Sequence, residues 1–159
     1  MDIFVRPARK TDAPRLCGLL NPIIETGGTT AFRDPFTEDR MIADFVERPL
    51  GIGCFVAEAG DGILGFQALE WSDPNWKGPN PLPADWAFIA TYVAQGVQGQ
   101  GVGRRLFQAT LAAARAAKVV AIDANIRREN LVGQAFYGSL GFVDYRSDAE
   151  SLSKRFDVT

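Results

Sequence analysis

The segment "VQGQGVGRRL", residues 97–106, places glycine at 99, 101 and 103, after an apolar run and before a helix-like stretch that contains Arg104 and Arg105. That order suits an anion. The first amide N–H groups of a helix have no partner within it, and the helix dipole adds partial positive charge at the same end. Glycines let the backbone curl its N–H groups toward one point and leave no side chain in the way. With two arginines nearby, a diphosphate is the expected ligand. Two common owners of such a loop fail on residues. Counted from Gly96, a Walker loop needs Gly-Lys at 101–102, and residue 102 is Val102. The dinucleotide pattern Gly-x-Gly-x-x-Gly needs glycine at 104 or 106, where the chain has Arg104 and Leu106.

The chain has no histidine. This removes Ser-His-Asp and Cys-His nucleophilic sites and most catalytic zinc sites, so no metal site is expected. Proton transfer falls to Asp, Glu, Tyr, Cys, Lys or water. Cys17 and Cys54 sit in apolar surroundings and read as buried small hydrophobes. The 159 residues suit one domain over 1–159, and 47% apolar with 23% charged residues is an ordinary globular composition. A net charge of −2 argues against a nucleic-acid partner. With no apolar run of membrane length and no signal-peptide layout, the expectation is a cytoplasmic protein without a membrane partner.

The elements that must position these residues follow from pattern. "DIFVRPA" reads as a strand. "TDAPRLCGLLNPIIE" reads as a helix capped by Thr11, with Leu16, Leu19, Leu20 and Ile23 at helical spacing. Thr37 caps a second helix, which carries Met41, Ile42, Phe45 and Val46 and which Pro49 stops. "GCFVAEA" and "ILGFQALEW" form a hairpin around "GDG". The loop 72–84 is rich in Pro, Asn and Gly and too long for a connector, which suits a lid or a substrate wall. Trp71, Trp76 and Trp86 lie in or beside it, either to pack it on the sheet or to touch a substrate. "WAFIATYVA" is a central strand and "GRRLFQATLAAARAAK" a helix. "VVAIDANI" is a buried strand and "NLVGQAFYGSL" a helix ended by Gly141, and "FVDYR" and "SLSKRFDV" are two antiparallel strands. The order β-α-α-β-β-β-α-β-α-β-β describes a mixed α/β domain, with antiparallel strands first and a parallel crossover later.

The run Gln98-Gly99-Gln100-Gly101-Val102-Gly103 fits Gln/Arg-x-x-Gly-x-Gly/Ala. Asn130 stands seven residues before Tyr137, and Gly141-Phe142 follow that helix. On these features the sequence resembles the GNAT superfamily of acyl-CoA-dependent N-acetyltransferases. "VRPARKTDAP", "NPIIETGGTTAFRDP" and the Asp85-Trp86 pair look like the phosphinothricin-acetyltransferase-type subgroup. The resemblance implies a mostly antiparallel central sheet with splayed central strands, flanked by helices. It implies acetyl-CoA as donor, a small amino-acid-like primary amine as acceptor, and direct attack without a covalent enzyme intermediate. The family's habit adds a homodimer. A sensor that binds acyl-CoA without turnover, and an enzyme acetylating protein lysines or N-termini, are the alternatives.

Carried over residue by residue, the resemblance places the pyrophosphate on Gln98, Gly99, Gln100, Gly101, Val102, Gly103 and Arg104. It places the pantetheine arm along Tyr92 and Val93, and it sets Asn130 beside the donor, where capping of the following helix is an equal use for an Asn. Tyr137 matches the family's general acid, which protonates the leaving thiolate; a packed helix aromatic is the other reading of that residue. At one place the chain departs from the subgroup. The Glu of its fourth strand falls here at Phe88, which cannot accept a proton. Asp85, at the start of that strand, is the nearest carboxylate in sequence. Glu25, Glu70 and a water chain are other routes, and each of these carboxylates also reads as a solvated surface group.

Overall fold

The computed structural model describes residues 2–60 and 62–159. Its frame is a seven-stranded sheet in the order β1-β2-β3-β4-β5-β7-β6. The strands are β1 (Phe4–Pro7), β2 (Gly51–Ala59), β3 (Gly62–Trp71), β4 (Trp86–Val93), β5 (Ala121–Arg127), β6 (Val143–Ser147) and β7 (Ser151–Asp157). Every pairing is antiparallel except β4 with β5. The chain therefore has the mixed, mostly antiparallel architecture expected of it. The tip of the β2–β3 hairpin was expected at "GDG"; Asp61 lies outside the described residues.

Side-chain alternation assigns the two faces of the sheet. Val56, Phe66 and half-buried Cys54 and Tyr92 face α1 (Ala13–Thr26) and α2 (Glu38–Met41), whose Leu16, Leu20 and Met41 are fully buried against them. Leu69, Ala87, Ile89, Ile122, Ala124 and Ile126 form the opposite face, covered by α3 (Val102–Ala116) and α4 (Leu131–Leu140). On α3 the buried positions Val102, Leu106, Phe107, Thr110 and Ala114 recur at the spacing that keeps one stripe on the sheet. Full burial of each large apolar side chain contributes about 1.5–3 kcal/mol.

Two local expectations change. Thr11 does not cap α1: residues 10–12 form a 3-10 turn, and Asp12 is drawn inward by the Arg6 guanidinium at 2.9 Å while accepting the Arg9 N–H at 2.8 Å. The second helix does begin at Thr37, whose hydroxyl accepts the Arg40 N–H, but it widens into a π-helical stretch over Ile42–Val46. Cys17 and Cys54 are free thiols, and burial pushes Cys54 up to about 12. Among the described residues no helix is long and apolar enough to cross a membrane.

Candidate active site

β4 and β5 pair over only three positions, Trp86–Ala121, Ala87–Ile122 and Phe88–Asp123, and then separate. The amide of Ala94 donates to Leu64 and the carbonyl of Trp86 accepts from Ser72, so even-numbered residues of β4 turn their backbone groups to β3. By alternation Thr91 and Val93 turn theirs toward the gap beside β5. Of the two residues expected along the pantetheine arm, Val93 thus offers backbone groups to the gap. Tyr92 turns its backbone to β3, and its phenol packs among Phe32, Phe45 and Phe66. Burial pushes that phenol up to about 12, with a hydrogen bond from Thr30 pulling it back.

The gap opens into a cavity of about 650 Å³. Its floor carries Phe88, Thr91 and Asp123, and its walls include Phe32, Trp76 and Leu82. Because it passes between the separated strands, it reaches Tyr137 on α4 from the opposite face. Tyr137 is 7% exposed, its ring tilted against Phe136 and edge-to-face with Phe142. Its hydroxyl is 2.8 Å from Thr91 Oγ1, which also accepts a hydrogen bond from Gln67 Nε2 at 2.9 Å. Burial raises the Tyr137 phenol well above its ordinary value, and the Thr91 contact opposes that rise. The group is therefore fully protonated at neutral pH.

Asn130 lines the same cavity. Its Oδ1 accepts the Gly133 N–H at 2.9 Å, capping α4, and its Nδ2 donates to the Thr29 carbonyl at 3.4 Å. One side chain thus caps the helix and ties it to the loop over the cavity.

The 97–101 loop leads from β4 into α3. Gly99 and Gly101 have φ of +83° and +81°, the left-handed region where glycine is at ease. Val102, Gly103 and Arg104 open α3, so their N–H groups have no acceptor within the helix, and a Cβ at Gly99 or Gly101 would meet no atom within 4 Å, an open helix start that suits an anion. Gly103 serves a different end: a Cβ there would lie 2.6 Å from Phe136 Cε1, so its hydrogen lets α3 close on α4. The two arginines are partly committed elsewhere. Arg104 reaches Ser139 on α4 at 3.3 Å, and Arg105 donates to the Ile3 carbonyl at 2.9 Å.

A model of the acetyltransferase (GNAT) domain matches residues 51–144, from β2 into β6. The chain belongs to the GNAT family. GNAT proteins are acyltransferases with acetyl-CoA as donor, and so is this chain. The fold is similar to an N-acetyltransferase from Staphylococcus aureus Mu50 (TM-score 0.84, 21% identity, 100% of both chains). It is similar to the Salmonella typhimurium protein yncA, solved with its cofactor acetyl-CoA (0.83, 18%, 99% of this chain and 94% of that one). It is also similar to the ribosomal-protein-alanine N-acetyltransferase of Brucella melitensis (0.76, 20%, 97% and 99%). No curated protein sequence is similar at a significant level.

In this GNAT chain the carboxylates do not lie where chain proximity put them. Asp85 is exposed at the start of β4, apart from the cavity, with its carbonyl accepting the Val120 N–H. Glu25 is exposed near the end of α1. Phe88 does lie on the cavity floor, and its sheet neighbours are both carboxylates, Glu70 on β3 and Asp123 on β5. Glu70 is salt-bridged to Arg48, which lines the cavity, and burial pushes its carboxyl up to about 7 against the pull of Arg48. Asp123 was not singled out in sequence, although an Asp inside "VVAIDANI" was the available signal. Arg48, Arg127 and Arg146 also line the cavity and were likewise not marked by any motif.

Proposed function

We propose that the chain transfers an acetyl group from acetyl-CoA to the primary amine of a small, amino-acid-like molecule. The cavity carries this reading. Its volume of about 650 Å³ lies in the range of small-ligand sites, and it runs from the 72–84 loop to the Tyr137 hydroxyl. The loop acts as a wall: Ser72 bonds the Leu82 carbonyl and Trp76 bonds the Pro79 carbonyl, which holds Trp76 over the cavity. Cavity arginines beside carboxylates suit an acceptor that carries both an anionic and a cationic group. This agrees with the likeness to the phosphinothricin-acetyltransferase-type subgroup.

The donor supplies an activated acyl group. Its pyrophosphate fits the 98–104 loop, where the first N–H groups of α3 lack an acceptor within the helix. The backbone of Val93 is set to hold the pantetheine arm, and Asn130 fixes the α4 end of the site. Tyr137 gives its proton to the departing sulfur, whose unperturbed thiol value is about 8.5. The Thr91 hydroxyl, itself held by Gln67, donates to the phenolate that this leaves behind.

A screen for free CoA release tests the reading. Small primary amines with and without a carboxylate are compared with lysine peptides and protein N-termini. A small amino-acid-like amine is expected to drive release. Release by polypeptides alone would turn the reading to a protein acetyltransferase, and CoA binding with no acceptor at all would turn it to a sensor.

A further inference from the structure

Four carboxylates lie in or beside the cavity, and three are already occupied. Asp73 Oδ1 accepts the Asn75 N–H at 2.8 Å, and exposed Asp148 accepts the N–H groups of Glu150 and Ser151 at 2.9 Å, so both hold turns. Glu70 is paired with Arg48 and does not itself line the cavity. Asp123 differs from all three. It is 4% exposed, it lines the cavity, and it stands at the last paired position before β4 and β5 separate.

Its surroundings leave it half-used. Tyr145 on β6 donates its hydroxyl to Asp123 Oδ1 at 2.5 Å, and Arg146 approaches the same oxygen only to 4.0 Å. Oδ2 has no hydrogen-bond partner among the described residues. Arg155 on β7, opposite Asp123 in register, lays its guanidinium over Trp86 and bonds Asp157. From the other face the Tyr137 phenol senses the Asp123 charge. Burial raises the Asp123 carboxyl above its ordinary value, while Tyr145 and Arg146 pull it back. An ionised carboxylate in such a place calls for a cation to complete it.

We propose that Asp123 forms an ammonium subsite at the apex of the β4–β5 split, where it binds the acceptor's amine and accepts its proton. This rests on the acetyl-transfer reading above. The ammonium gives one proton to Asp123 Oδ2 and becomes a nucleophile. Its lone pair forms the N–C bond to the acetyl carbon, and the C–S bond breaks with its electron pair on sulfur. Sulfur takes the Tyr137 proton. The second nitrogen proton, released as the amide forms, restores the phenol, and Asp123 returns its proton to water. The role that Phe88 cannot fill thus passes to its neighbour across the sheet.

The test compares wild type with Asp123→Asn and Tyr145→Phe, each saturated with CoA. The probes are n-butylammonium and its uncharged counterpart n-butanol, read by tryptophan fluorescence. Asn keeps an acceptor for the Tyr145 hydroxyl, so a purely structural role would survive that exchange. The wild type is expected to bind n-butylammonium at least tenfold more tightly than n-butanol. Asp123→Asn is expected to lose that preference with CoA affinity intact, and Tyr145→Phe to keep it. On any amine that drives CoA release, Asp123→Asn should lower kcat/KM at least 100-fold. A wild type without the preference, or an Asn variant that retains it, overturns the subsite. Failure of every amine to drive release overturns acetyl transfer instead, because the binding experiment needs no turnover.

Discussion

Tyr137→Phe removes one oxygen and leaves the ring. The ring's contacts with Phe136 at 4.9 Å and Phe142 at 5.1 Å between centroids persist. Thr91 loses its 2.8 Å partner but keeps Gln67, so no buried hydroxyl is left wholly alone. The stability cost is that of one net hydrogen bond, about 0.5–1.5 kcal/mol, or about 1–6 °C in Tm at this chain length. The kinetic cost is larger. A positioned general acid contributes about 10²- to 10⁴-fold, which at about 1.36 kcal/mol per decade is about 3–5 kcal/mol of barrier. The assay is steady-state CoA release on the best amine from the screen, with acetyl-CoA affinity measured by calorimetry on the same samples. We expect kcat to fall at least 100-fold, with affinity within about threefold of wild type by the same reasoning. Unchanged turnover, or a loss that tracks donor affinity or unfolding, would refute the assignment of Tyr137 as proton donor.

Three other substitutions probe the frame around it. Gly103→Ala puts a Cβ 2.6 Å from Phe136, so thermal denaturation should show a loss of about 1–3 kcal/mol from α3–α4 overpacking; wild-type stability would contradict the contact. Gly101→Val forces a β-branched residue to φ +81° and places its side chain beside the free N–H groups, so calorimetry should find acetyl-CoA binding abolished. Wild-type affinity there would sink the anion site. Asp12→Asn concerns acid stability. The Arg6 hydrogen bonds hold the Asp12 carboxyl below its ordinary value, so its contribution is present above about pH 4 and is lost as pH falls through the lower folded value. Urea titrations between pH 2 and 5 should show a shallower acid limb in the variant, and an identical limb would exclude the link.

Local chemistry made much of this molecule readable. The glycines at 99 and 101, the caps at Thr37 and Asn130 and the αL stop at Gly141 act within a few residues of themselves, and each element they delimit begins or ends where they indicate. Other positions depend on partners outside their own element. Thr11 was displaced as a cap because Arg6 on β1, which is also paired with Glu58 on β2, draws Asp12 inward. Asp85 looked attractive because it is three residues from Phe88, yet it stands at the exposed end of the strand. Asp123 is 35 positions away in the chain but adjacent in the sheet, and it faces the cavity only because β4 and β5 part at that point. No pattern within "VVAIDANI" encodes that parting.

Glu70, Phe88 and Asp123 form a row across three neighbouring strands, on one face, about 4.8 Å from one to the next. A carboxylate in any of the three would stand within about 10 Å of the same point. A reactive group can therefore drift sideways through the row over generations while every strand keeps its place and the fold is untouched. A pattern written along one strand loses sight of such a group after a single step. A pattern written across strands keeps it in view, so in this architecture rows are the natural unit for comparing one protein with another.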